Sequence, residues 1–106
     1  MTKVQINPGI CGFIASVEAV SEDQQMVNLN IKSGCAGIRK LAEQLGEEVD
    51  AYEVCLGKPG SGELYELAQE VCPSHASCPV IAGILKCIEV ECRLALPQDA
   101  EIKFIK

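Results

Sequence analysis

A chain of 106 residues, 48% apolar and 23% charged, is long enough for one buried core and too short for two, and it is too apolar to be a disordered chain. The net charge of −6, with lysines and arginines scattered singly apart from Arg39-Lys40, excludes the basic stripe a nucleic-acid surface needs. The longest apolar stretch, about Pro79–Leu85, falls far short of the ~20 residues of a membrane span, and Met1–Gln5 carries no signal core. The expectation is one cytoplasmic domain, residues 1–106, without a nucleic-acid or membrane partner.

In chain order, Val4 and Ile6 alternate with polar neighbours and predict a strand over Thr2–Ile6, closed by the turn Asn7-Pro8-Gly9. Phe13, Ala15, Val17 and Ala19 predict a second strand. The polar run Ser21–Gln25 is a turn, and Val27, Leu29 and Ile31 predict a third, half-buried strand. These two strands form a hairpin. A turn centred near Asp23 pairs Val20 with Met26 and sets Cys11 opposite Cys35.

Helical periodicity follows. Ile38, Leu41, Ala42 and Leu45 lie at i, i+3, i+4 and i+7, with Gly46 as a left-handed cap. Glu47–Leu56 fits a short helix only loosely, and Gly57–Gly62 is a loop without the Gly-Lys-Ser/Thr ending of a phosphate cradle. Leu64, Leu67, Ala68 and Val71 predict a second helix, stopped at Cys72-Pro73 because the residue before proline disfavours helical dihedrals. Pro79 opens a third helix, predicted to run to about Leu96. It is apolar on most sides, so it is either central or part of an interface. Ile102 and Phe104 predict a last strand over Glu101–Lys106. The predicted order β-β-β-α-α-α-β is a two-layer α+β domain, an antiparallel-type sheet with three helices on one face.

The chain holds seven cysteines. A reducing compartment and an odd count both argue against a closed disulfide framework. If consecutive helices alternate in direction, Cys72 and Cys78 return to the end of the sheet that carries Cys11 and Cys35. Four thiolates there could bind zinc tetrahedrally or hold an iron–sulfur cluster. Buried, inert thiols are the competing reading, since free cysteine often simply packs. Cys92 lies on the apolar arc of the third helix and reads as core, and packing is also favoured for Cys55 and Cys87. His75, the only histidine, is an exposed loop residue, a hydrogen-bond donor to a ligand cysteine, or itself a ligand. Glu47-Glu48, Glu89 and Glu91 read as solvated helix charges, and no catalytic signature is present.

Gly34-Cys35-Ala36-Gly37 and His75-Ala76-Ser77-Cys78-Pro79-Val80 resemble the TSCPD domain, found at the ends of some ribonucleotide reductases and in small stand-alone proteins. The similarity covers roughly Met26–Leu96, with Ala76 in place of the threonine and Val80 in place of the aspartate. It implies a metal site to which Cys35, Cys72 and Cys78 correspond. The chain also resembles small uncharacterised proteins of anaerobic microbes.

These readings make the chain a metal- or cluster-binding module with a structural, sensing or accessory role. One alternative is a thiol redox or sulfur-handling protein using Cys78, which would sit at a helix start. Another is a metal-free interaction domain, with a homodimer or protein partner on the third helix.

Overall fold

The computed structural model describes residues 1–72 and 76–106. The alternating first third of the chain folds as β1 (Thr2–Ile6), β2 (Ala15–Val20) and β3 (Met26–Ser33). The helix α1 (Ala36–Leu45) follows, then a short β4 (Glu48–Asp50) and α2 (Ala51–Cys55). The last elements are α3 (Glu63–Val71) and α4 (Pro79–Glu91). The strands lie in chain order, β1-β2-β3-β4, and every neighbouring pair is antiparallel. The class is α+β, as the periodicities require.

Side chains on one face of the sheet form the core because strand residues alternate between faces. Ala15, Val17 and Ala19 of β2 are wholly buried, with Val27 and Leu29 of β3 and Val49 of β4 beside them. The other face carries Lys3, Glu18, Asn28, Asn30 and Lys32, and it is polar. On the buried face α1 packs along β3, while α4 lies under β1 and β2; α3 backs α1, and α2 backs α4. Ile38, Leu41, Leu64, Val80, Ile84 and Ile88 fill the space between the layers.

The hairpin register differs from expectation by two residues: Val20 pairs with Asn28, and Val17 with Ile31. The turn is centred on Gln24, which takes a positive φ of 64°. Asp23 accepts hydrogen bonds from the amides of Gln25 and Met26, and the Ser21 hydroxyl accepts from the Gln24 amide and donates to the Met26 carbonyl. This side-chain bonding builds a wider turn than charge and polarity suggest. A shift of two leaves each residue on its face. It does separate Cys11 from Cys35, and β2 begins only at Ala15. Phe13 instead lies against Gly34, where a Cβ would stand 3.1 Å from its Cδ1.

Three other expectations are corrected. The stretch around Glu47–Leu56 holds a strand and a helix, so the described residues form four helices. Asp50 organises the junction: its carboxylate accepts from the Tyr52 amide and from the Gln25 side chain. The third expected helix, here α4, ends at Glu91 rather than near Leu96. Arg93 adopts a left-handed φ of 61°, the Leu94 amide bonds the Glu89 carbonyl and the Arg93 amide bonds that of Val90. That pair of bonds is a Schellman cap, which closes the helix without the glycine that usually marks it. Finally, Glu101–Lys106 forms no strand. Its alternation is genuine, but a strand needs a partner, and this segment stands clear of the core with Ile102, Phe104 and Ile105 exposed.

Candidate functional site

Three of the expected cysteines sit at helix termini. Cys35 is the N-cap of α1, Cys72 the C-cap of α3, and Cys78 the N-cap of α4 with Pro79 at the first helical position. Local chemistry explains each boundary. The Ser33 hydroxyl accepts from the Cys35 amide as the chain leaves β3, and Cys72 has the extended dihedrals that a following proline demands. The packing of α3 on α1 brings the Cys72 end of one helix to the Cys35 start of the other. All three residues are half-buried and packed against the core.

Their sulfurs are electrostatic neighbours. Burial, and after it the charges that Cys78 and Cys35 would carry as thiolates, hold the Cys72 thiol above its ordinary range. Neither Cys35 nor Cys78 uses its side chain to cap its helix. The first amides of α1 and α4, at the positive ends of the helix dipoles, therefore border the cluster, and among the described residues no side chain accepts from them.

Cys11 is exposed on the loop joining β1 to β2. That loop leaves the sheet at the end where Ser33 pairs with Ala15, so it shares an end with Cys35. The register no longer sets the two opposite each other. His75 lies outside the described residues. Among the described residues, no group of three or more histidine, cysteine, aspartate or glutamate side chains is placed to hold a metal ion.

Of the remaining thiols, Cys87 and Cys92 belong to the core and Cys55 packs against it. Cys87 is fully buried beneath β1 and β2, where its single S–H has the Thr2 carbonyl at 3.4 Å and the Val17 carbonyl at 3.6 Å as acceptors. Burial, with Glu91 adding to it, pushes this thiol up to about 11. Cys92 is buried at the end of α4, and desolvation raises its thiol as well. Cys55, on α2, donates to the Leu85 carbonyl, and burial followed by Glu89 pushes its thiol up to about 12.

Glu91 is not the solvated charge that its neighbourhood suggests. Its side chain is only 10% exposed. It accepts from the Thr2 hydroxyl at 2.7 Å and the Ser21 amide at 2.9 Å, and it pairs with the amino-terminal ammonium at 3.5 Å. Desolvation pushes this carboxyl up, but those donors outweigh it and hold it below the ordinary glutamate value. One signal was available in the sequence: an acid in the last turn of a helix opposes the dipole and needs partners.

Two shallow depressions open to solvent, one of about 690 Å³ between β3 and α1 and one of about 390 Å³ at the end of α4; neither is lined by a cysteine. No described helix is long and apolar enough to cross a membrane.

The fold and site thus define a small α+β protein, an antiparallel four-stranded meander covered by helices whose termini gather thiols. The chain belongs to a family of unknown function, DUF6951, whose model matches residues 2–104. No curated protein and no solved structure matches it. No TSCPD domain is found, so that resemblance is overturned. Its two short motifs each describe a cysteine ahead of a helix, a feature that unrelated helix starts share.

Proposed function

We propose that Cys35, Cys72 and Cys78 form a thiol centre that takes a thiophilic metal, zinc or an iron–sulfur cluster, in a structural, sensing or accessory role. The observation that carries this reading is the convergence of three half-buried thiols from three helix termini, two of them N-caps with no side-chain capping bond. Soft sulfur donors select such metals, and the first amides of α1 and α4 would donate to metal-bound sulfur. The donor set fits in kind. As the thiols stand they are not posed as ligands, so binding has to turn the three side chains toward one point. Cys11, exposed on a loop at the same end, is the available fourth cysteine.

The test is metal analysis and absorption spectroscopy of protein purified without oxygen, then again after reconstitution with zinc or with iron and sulfide. About one zinc per chain, or a cluster band near ~400 nm, is expected. Cys72→Ser should lower that content, whereas Cys92→Ser should leave it unchanged. Protein that holds neither metal nor cluster, or a Cys72→Ser variant that loads like the parent, would overturn the proposal.

Thiol–disulfide chemistry is a second reading, favoured by the lack of a preset ligand geometry. Labelling separates the two, since a metal shields three thiols together and a disulfide removes two.

A further inference from the structure

We propose that Glu101–Lys106 of one copy adds as a strand to the free edge of β1 in a second copy, and reciprocally, to make a homodimer. The unsatisfied edge comes first. The strand β1 bonds only β2 and lies at the margin of the sheet, so one side of Thr2–Ile6 presents unpaired backbone groups. Its single charged side chain, Lys3, is drawn to Glu18 at 3.5 Å, and no proline guards the strand.

The unpartnered segment comes second. Ile102, Phe104 and Ile105 are 84%, 97% and 94% exposed, and Leu96 ahead of them is 87% exposed. Such a run of large apolar side chains standing in water marks a surface that is covered in use. Isolated apolar residues would need no explanation, but Ile102 and Phe104 alternate with Glu101 and Lys103 at the strand period, with Ile105 falling on the other face. The family model, which matches residues 2–104, takes in Glu101–Phe104 of this segment together with β1.

The two fit each other. Antiparallel addition that sets Phe104 opposite Val4 and Ile102 opposite Ile6 overlaps all five residues of β1. It extends the half-buried apolar rows over α4 and places Lys103 beside Gln5, with no like charges opposed. A slip of two residues toward the other register sets Lys103 against Lys3. Within its own chain, the segment leaves α4 beside Thr2, where Glu91 is bonded. Its shortest path along β1 there is parallel, the weaker pairing and foreign to this sheet. A second copy related by a two-fold axis offers the same edge antiparallel. With aromatic and large aliphatic side chains contributing on the order of 150–200 Å² each, two exchanged tails bury an area in the range of stable interfaces. On α4, Gly83 and Cys87 are turned against β1 and β2.

Sedimentation equilibrium of the full chain should show a dimer at micromolar concentration, with the tail amides protected from hydrogen exchange. A chain ending at Ala100, and separately the Ile102→Glu/Phe104→Glu variant, should be folded and monomeric, with the dissociation constant raised at least about 100-fold. A full-length monomer overturns the proposal, whether its tail is unprotected or protected by folding back on its own sheet. So does a dimer that survives both variants.

Discussion

Replacing Gly83 with alanine should weaken this protein, although the same change in an ordinary helix interior strengthens it by about 1 kcal/mol. Gly83 lies where α4 crosses β1, and a methyl group there would stand 2.6 Å from Ile6 Cδ1 and nearer still to its Cγ1. Carbon atoms rest at about 3.5–4.0 Å, so roughly 1 Å of overlap has to be absorbed. Ile6 is β-branched and stiff, and its Cβ lies at 3.6 Å, so turning the side chain relieves the overlap only by unseating its ethyl arm. Overpacking of this kind costs about 1–3 kcal/mol; less the gain in helix propensity, a net loss of up to about 2 kcal/mol is expected. Denaturant midpoints at constant m-value would measure it, in the parent and in an Ile6→Ala background. Once Ile6 is shortened, Gly83→Ala should turn stabilising by about 0.5–1 kcal/mol, the sign reversal that identifies a pairwise contact. A Gly83→Ala protein more stable than the parent, or an equal cost in both backgrounds, would refute the close approach of α4 to β1.

Glu91→Ala should destabilise by about 2–3 kcal/mol at neutral pH, because it removes two charge-assisted hydrogen bonds from a nearly buried carboxylate. The folded carboxyl lies below its unfolded value, so its contribution is complete above the unfolded pKa of about 4.3 and is lost as pH falls through the folded one. The parent should therefore lose more stability in acid than Glu91→Gln does, and parallel pH curves from thermal melts would contradict the linkage. Alkylation of native, metal-free protein near neutral pH should label exposed Cys11 early. Cys55, Cys87 and Cys92 should wait for unfolding, since burial holds each thiol protonated. Peptide mass spectrometry gives the order, and fast labelling of Cys87 would mean that α4 does not seal the core.

Much of the layout could be read from periodicity. Val17, Ala19, Val27 and Leu29 announce their strands and their buried face, and Ile38, Leu41 and Leu45 announce α1. What stayed hidden were features decided by a single backbone angle or by a partner. The positive φ of Gln24 moves the hairpin register, and that of Arg93 ends α4, at positions where no glycine signals it. The strand β4 is three residues long, too short for alternation to show, and it exists because Val27 and Asn28 pair with it. Glu101–Lys106 has a strand's alternation but no neighbour within the chain. For the site, helix boundaries at Cys35, Cys72 and Cys78 could be read from Pro73, Pro79 and the apolar period. Whether Cys11 faced Cys35 depended on the register, which a side-chain-bonded turn controls.

The strands of this sheet are laid down in chain order, so each finds its partner across a loop or, for β3 and β4, across the single helix α1, and such contacts form at little entropic cost. The exception joins the two ends of the protein: Thr2 bonds Glu91, 89 residues on. Contacts of that separation are slow to form. On the ribosome, where a chain emerges from its amino end, the meander can assemble once Asp50 is out. Val17 and Ala19, by contrast, keep their apolar face in water until Pro79–Glu91 has followed. The interval between those two events is when this sheet is most open to capture by another chain, and the arrival of one thirteen-residue helix ends it.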